Sequence, residues 1–118
     1  TYAMPQNPGI TPHWNYISNV NPSLTADDGA AKVSCSVYGK IGTTTRVEIT
    51  AELQQYITGC WMTVKIFTAE SDSHRVMLSE VYSLTPGYSY RLRATVTAYS
   101  GTAMESDVVF SGTVVCRK

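Results

Sequence analysis

The sequence lacks an excess of charge of either sign: nine Lys and Arg residues balance nine Asp and Glu residues, and charged residues make up only 15% of the chain. Without a positive field, nothing attracts the chain to the phosphates of a nucleic acid or to an anionic membrane surface. The sequence also lacks any apolar run near the roughly 20 residues that a membrane helix needs. These absences predict no nucleic-acid partner and no membrane insertion.

Histidine is scarce as well, with only His13 and His74 in the 118 residues. A Ser-His-Asp or Cys-His arrangement needs a base held by neighbours on a rigid scaffold, and neither a Pro-rich terminal segment nor a surface turn offers one. Glu48 and Glu52 share a strand face, but they lie about 13 Å apart along a strand, beyond the separations that glycoside hydrolysis uses. We therefore expect no enzymatic activity.

Metal-binding patterns are missing too. The three cysteines form no Cys-x-x-Cys motif and do not alternate with histidines, which argues against a zinc site. Asp27-Asp28-Gly29 could begin a calcium loop, but the further acidic ligands of that loop are absent. This tripeptide predicts a tight turn, and we expect neither a metal nor a cofactor.

What the sequence has instead is repeated apolar alternation with a period of two, interrupted by short turn signals and without helical spacing. The first of these runs is expected to break at Pro22, because proline is confined to strand edges and bulges. Seven strands are predicted, over residues 14–26, 31–38, 47–54, 60–67, 75–84, 88–99 and 104–116.

Strands with one apolar and one polar face are typical of two antiparallel sheets packed together. The sequence thus predicts an all-β fold: a seven-strand antiparallel β-sandwich, immunoglobulin-like or fibronectin-III-like. Residues 14–118 are expected to form this single domain. Residues 1–13 contain three prolines and no alternation, which predicts a flexible N-terminal tail.

The three cysteines leave three arrangements open. Cys35 and Cys60 are both predicted on the apolar faces of their strands, and a disulfide between them would close a loop of about 25 residues. Cys60 and Cys116 would pair instead if the start of the fourth strand and the end of the seventh meet at one end of the sandwich. In the third arrangement all three are buried thiols, since cysteine behaves as a small hydrophobic residue.

Aromatic residues on the predicted outward register are the only feature with the character of a binding site. Exposed aromatic rings stack on sugars and pack against protein partners, and Trp and Tyr dominate interface hot spots. Alternatively, these rings form cross-strand pairs that only stabilise the sheets, as Arg91 and Arg93 are expected to do with Glu48 and Glu52. The candidate ligand-contact residues are Tyr56, Trp61, Phe67 and Tyr99.

Residues 84–90, with the sequence LTPGYSY, resemble the corner between the fifth and sixth strands of fibronectin type III domains. There a Leu-x-Pro-Gly-x-x-Tyr run carries a tyrosine whose hydroxyl bonds back to the loop backbone. The resemblance assigns the structural corner to Leu84, Pro86, Gly87 and Tyr90.

The chain departs from both domain types elsewhere. Fibronectin type III domains have a Trp on the second strand, where this chain has Cys35. Immunoglobulin domains have a Cys two residues after the corner tyrosine, where this chain has Leu92, so their inter-sheet disulfide is not expected.

A longer pattern is similar to a group of short exported domains from Gram-positive bacteria, including gut commensals, whose function is unassigned. That similarity implies export and a lone domain. Its positions are Ala31, Cys35, Leu53-Gln54-Gln55, Gly59-x-Trp61-x-Thr63-Val64-Lys65, Gly87-Tyr88-x-Tyr90-Arg91 and Glu105.

Together these observations predict a secreted or surface-exposed, non-catalytic interaction or accessory domain, a monomer or weak dimer, acting on a protein or a glycan at the cell surface. The alternative is a purely structural spacer from a larger surface protein. The start at Thr1 fits either removal of a signal peptide or trimming of a longer chain. A flat patch of Tyr56, Trp61 and Phe67 would favour the first hypothesis, and burial of all three would favour the second.

Overall fold

The computed structural model describes residues 14–117, and the tail predicted for residues 1–13 lies outside the described residues. Within that range the chain forms strands and turns and no helix, which confirms the all-β prediction. The strands are β1 (Ile17–Asp27), β2 (Ala30–Gly39), β3 (Arg46–Ile57), β4 (Cys60–Ser71), β5 (Arg75–Ser83), β6 (Ser89–Ser100), β7 (Ala103–Phe110) and β8 (Val114–Val115).

The strands form two antiparallel sheets. The smaller sheet has the order β1-β2-β5, and the larger has the order β4-β3-β6-β7, with β8 pairing with β6. The seventh predicted strand is therefore two strands. Ser111 lies between them, and its hydroxyl accepts a hydrogen bond from the backbone N–H of Leu92, which continues the contact with β6 beyond the end of β7.

The core lies between the two sheets and is filled mainly by alternate residues of β2, β3 and β6. Because the side chains of a strand alternate between its two faces, one apolar face on each strand is enough to fill the core. Of the inward residues predicted for these strands, Tyr88 is exposed and lies before the start of β6. The others are buried, as expected: Ala31, Val33, Cys35, Val37, Val47, Ile49, Ala51, Leu53, Tyr90, Leu92, Ala94, Val96 and Ala98.

Two tight turns set the register of the hairpins β1–β2 and β3–β4. Asp28 and Gly29 have φ of 50° and 77°, and Thr58 and Gly59 have φ of 46° and 84°. Positive φ at both central residues is the conformation of a type I′ turn, whose twist matches that of the flanking strands. The second of these turns places Tyr56 directly opposite Trp61.

The expected break of the first strand at Pro22 is wrong. β1 runs through this residue, which pairs with Cys35 of β2. Because β1 is an edge strand, with a partner strand on one side only, proline is tolerated within it.

The predicted faces of the fourth strand are wrong in its second half, and the apolar side of its first half is exposed. Cys60 and the apolar residues Met62, Val64 and Ile66 are exposed, whereas Phe67 is buried. The pairing of β3 with β4 shifts at Leu53 and Gln54, where β4 contains one extra residue, Val64. This irregularity reverses the alternation beyond Val64, so Phe67 turns inward. Cys60 and Met62 keep the expected side but are exposed, because the strand lies at the edge of its sheet, beyond most of the core.

Candidate binding face of the larger sheet

Five side chains converge on the outer face of the larger sheet, near the β3–β4 hairpin. Directly opposed residues of an antiparallel pair share a face, so the pairs Tyr56–Trp61 and Gln54–Arg91 project to the same side. We call this group the Arg91 cluster. It comprises Gln54, Tyr56, Trp61, Arg91 and Phe110.

Tyr56 and Trp61 form the aromatic end of the cluster. Their ring centroids lie 5.1 Å apart with an interplanar angle of 61°, an edge-to-face arrangement that aromatic pairs favour. Tyr56 is 45% exposed, whereas Trp61 is half-buried. The rings therefore stand on a wet sheet face and take no part in filling the core.

Arg91 occupies the centre of the cluster. Its Cζ lies 4.4 Å from the centroid of Trp61 and 4.6 Å from that of Phe110, within the range of cation–π attraction. β4 and β7 lie on opposite sides of β6, so the two rings reach the guanidinium from opposite sides. Nε donates a hydrogen bond of 2.8 Å to Oε1 of Gln54. The guanidinium is thus held by contacts with three side chains.

A polar network continues from Gln54 across the same face. Nε2 of Gln54 lies 3.4 Å from Oγ1 of Thr63, which donates a 2.8 Å hydrogen bond to Glu52. Glu52 in turn forms a 2.8 Å ion pair with Arg93. The predicted charge pairing is therefore formed by Arg93 and Glu52, while Arg91 stacks on rings instead.

The surroundings of Arg91 disfavour its charged state. Partial burial lowers the pKa of Arg91, and the positive charge of Arg93 lowers it further. Among residues 14–117, no carboxylate forms an ion pair with Arg91 that would offset these effects. Arg91 is a partly desolvated cation without a counter-ion from the described side chains.

Arg46, at the other end of the sheet, shows the opposite arrangement. It forms ion pairs with Glu48, Glu70 and Asp72, and its hydrogen bonds to these carboxylates raise its pKa. Tyr99 lies directly opposite Arg46, and its hydroxyl is 3.3 Å from Glu48. Burial, followed by the negative charge of Glu48, raises the pKa of Tyr99.

The structure thus brings together Tyr56 and Trp61 but separates the other two candidate aromatic residues from them. Tyr99 belongs to the Arg46 charge cluster. Phe67 faces the interior, where its ring packs edge-on against Tyr82 at a centroid distance of 6.3 Å. The expectation that Phe67 faces outward is wrong, because the extra residue in β4 reverses the face it occupies.

Sequence reasoning missed Phe110 and the central position of Arg91. Phe110 ends β7, and it pairs with Arg93 on β6, which places its ring on the outer face beside Arg91. The useful signal is the alternation Met104, Ser106, Val108, Phe110. It indicates a shared face, but only the register against β6 shows what Phe110 contacts.

The corner assigned to Leu84, Pro86, Gly87 and Tyr90 lies behind this cluster. The hydroxyl of Tyr90 accepts a 2.9 Å hydrogen bond from the N–H of Thr85 and lies 3.3 Å from the carbonyl oxygen of the same residue. Tyr90 and Leu84 are buried, and Gly87 has a φ of 94°. The hydroxyl thus bonds back to the loop backbone.

The cysteines occupy different environments. Cys35 is buried on the inner face of β2, where burial raises the pKa of its thiol to about 12, and Cys60 is exposed at the start of β4. Both are free thiols in the structure, so the candidate Cys35–Cys60 disulfide is not formed in it. Cys116 is buried beside the corner, with its backbone bonded to that of Gly87 and Tyr88.

The described residues contain no cluster of three or more His, Cys, Asp or Glu side chains arranged to hold a metal ion. No helix in the same part of the chain is long and apolar enough to cross a membrane. Comparison of the chain with known protein families, with characterised proteins and with solved structures finds no match.

Proposed function

We propose that this chain is an exported, non-catalytic interaction domain that binds a protein or a glycan at the cell surface through the outer face of its larger sheet. The observation that carries this proposal is the position of Arg91, held between the rings of Trp61 and Phe110 beside the exposed Tyr56. Trp, Tyr and Arg are the residues that contribute most binding energy at interfaces.

Packing alone does not account for the Arg91 cluster. The core between the sheets is filled by inward residues of both sheets, and the cluster lies on the opposite, wet face. Aromatic and cation–π contacts between exposed side chains add only about 0.5–1.5 kcal/mol each to stability. Large rings on a solvated face are better explained by contact with a ligand.

The proposed fold within the β-sandwich class is immunoglobulin-like or fibronectin-III-like. The hydrogen bonds of Tyr90 to Thr85 support it, since this is the contact of a tyrosine corner. The fourth strand pairs with the third, whereas in constant-type immunoglobulin domains it joins the sheet of the first, second and fifth strands. This difference favours the fibronectin-III-like alternative.

Export is proposed from the sequence: the resemblance to short exported domains of Gram-positive bacteria and the low charge content both support it. Several positions of that resemblance converge in one region, where Gln54 and Trp61 both contact Arg91 on the outer face.

The second candidate function is a structural spacer, and one contact favours it. Glu105 on β7 accepts hydrogen bonds from three successive backbone N–H groups, those of Asn15, Tyr16 and Ile17. Nε1 of Trp14 donates a further hydrogen bond to Asp107 on the same strand. These bonds tie the start of β1, in one sheet, to β7 in the other, which suits a domain that holds its neighbours at a fixed angle.

Binding assays with matched variants distinguish the two functions. The wild-type domain is screened on a glycan array and against a panel of host surface proteins, together with Trp61→Ala and Tyr38→Ala. Tyr38 is an aromatic residue on the outer face of the smaller sheet, so its variant controls for the loss of a partly exposed ring. Binding that is lost in Trp61→Ala and retained in Tyr38→Ala supports the interaction domain. If neither screen finds a ligand, or if both variants lose binding equally, the interaction domain is contradicted and the spacer is favoured.

A further inference from the structure

The guanidinium of Arg91 has hydrogen-bond donors that are not used by the described residues. Its Nε is bonded to Gln54, but neither Nη atom has a hydrogen-bond partner among the described residues. No buried side-chain nitrogen or oxygen in that part of the chain lacks a partner, so these Nη atoms are open to solvent. A ligand can therefore reach the Nη edge of the guanidinium from solvent.

The flanking rings restrict how a ligand approaches this edge. The centroids of Trp61 and Phe110 lie 4.4 and 4.6 Å from Cζ, and the two rings come from strands on either side of β6. A group that reaches the Nη atoms must therefore fit beside both rings, which favours a flat group. A carboxylate is planar and accepts two parallel N–H bonds from arginine in that geometry.

Charge complementarity points to the same ligand. Arg91 is partly desolvated, has Arg93 as a cationic neighbour and has no carboxylate partner among the described residues, whereas Arg93 is paired with Glu52. An anion that binds there supplies the charged partner that the described side chains do not provide. We propose that the Arg91 cluster binds the carboxylate of an Asp or Glu side chain on a protein partner, an inference that rests on the interaction function proposed above.

A protein partner fits this face better than a sugar. A sugar ring stacks on a free aromatic face, but Trp61 is covered by Arg91 and met by Tyr56 in an edge-to-face contact. Exposed aliphatic side chains continue the same face, with Ile66 opposite Glu52 and Val108 two residues from Phe110. An Arg set among aromatic and aliphatic groups is the usual composition of a protein interface core.

The test begins with a random 12-residue peptide library displayed on phage and selected on the wild-type domain, in parallel with an array of acidic and neutral glycans. Selected peptides are synthesised in matched pairs, with each Asp or Glu changed to Asn or Gln. Affinities are then measured for the wild type, Arg91→Lys, Arg91→Gln and the control Arg75→Gln, whose side chain is exposed on the smaller sheet.

We expect the selected peptides to be acidic, and loss of one carboxylate to weaken binding by about 10-fold or more. Arg91→Gln weakens binding by a similar factor, and the two losses are not additive, because both remove the same contact. Arg91→Lys restores part of the affinity, since a lysine keeps the charge but lacks the planar pair of donors. Arg75→Gln binds like the wild type.

Other outcomes overturn the inference in distinguishable ways. Peptides that require Trp61 but bind equally with and without their carboxylates, or equally to Arg91→Gln, overturn the carboxylate contact and leave the interaction function standing. Binding of acidic glycans alone overturns the protein partner. If neither the peptide selection nor the glycan array yields a binder, the inference and the interaction function are overturned together. If Arg91→Gln fails to fold, the peptide pairs and Arg91→Lys still decide the question.

Discussion

Gln54 and Gln55 are consecutive residues on β3, and their amides reach opposite faces of the larger sheet. Gln54 accepts a 2.8 Å hydrogen bond from Nε of Arg91 on the outer face, and Gln55 donates one of 2.8 Å to the buried hydroxyl of Tyr90. Tyr90 and Arg91 are themselves consecutive on β6, and the two pairs lie directly opposite each other. The buried corner and the candidate site are thus joined through one short stretch of paired backbone.

Replacing Tyr90 with Phe should destabilise the domain by about 1–3 kcal/mol, because it leaves the buried amide of Gln55 and the N–H of Thr85 without their acceptor. Urea unfolding measures the change. Tyr88→Phe is the matched control, because Tyr88 is exposed and lies two residues from Tyr90. Loss of its hydroxyl should cost less than about 0.5 kcal/mol. Equal stability of the two variants would show that the corner hydrogen bonds contribute nothing.

Replacing Phe110 with Ala should release one side of the Arg91 guanidinium while costing about 1–2 kcal/mol of stability, as expected for a partly buried ring in a cation–π contact. The ring current of Phe110 acts on Arg91, so the Nε–H signal of Arg91 should move in the NMR spectrum. Val115→Ala, a substitution at an exposed position on β8, should leave that signal in place. An unmoved signal in Phe110→Ala would contradict the stacked geometry.

The alternation of apolar residues was enough to predict β2, β3 and β6 and the faces they bury, because each of these strands lies inside its sheet and contributes a full row to the core. The alternation along β4 does not give its buried face. Val64 inserts an extra residue opposite β3, and a local pattern of apolar residues carries no information about such an insertion in the pairing. Phe67 was assigned to the wrong face for this reason, whereas Cys60 precedes the insertion, keeps the expected side of β4 and is exposed because it begins an edge strand.

The candidate site was predictable only in part. Tyr56 and Trp61 flank the turn at Thr58 and Gly59, so the sequence itself implies that they meet across the hairpin. Phe110 reaches the cluster only because β7 pairs with β6 in one register, and that register depends on contacts between distant parts of the chain. Residues within a hairpin could therefore be placed from the sequence, whereas the contact of Phe110 with Arg91 required the fold.

Glu105 should make the stability of the domain depend on pH. Burial alone would raise its pKa, but hydrogen bonds from the N–H groups of Asn15, Tyr16 and Ile17 and the charge of Lys40 outweigh this, so its pKa lies below the usual value of 4.5. A carboxyl with a lowered pKa in the folded state stabilises that state above its unfolded pKa, and this contribution is lost as the pH falls through the folded value.

Glu105→Gln should accordingly be less stable than the wild type by about 1–2 kcal/mol at pH 7, with the difference shrinking below about pH 4.5. Thermal or urea unfolding at several pH values measures this. Glu80→Gln, on the exposed face of β5, serves as the control and should follow the wild-type pH profile. A constant difference between Glu105→Gln and wild type down to pH 3 would contradict the contribution of the ionised carboxylate.

The thiols of Cys35 and Cys60 should differ sharply in reactivity, because the thiolate is the nucleophile and only Cys60 is exposed. Burial raises the pKa of Cys35 to about 12, so at pH 8 it has almost no thiolate and no access to reagent. We expect Ellman's reagent to give a fast phase with the folded protein that disappears in Cys60→Ser and persists in Cys35→Ser. Absence of the fast phase from the wild type, with its appearance after reduction, would instead indicate a disulfide at Cys60.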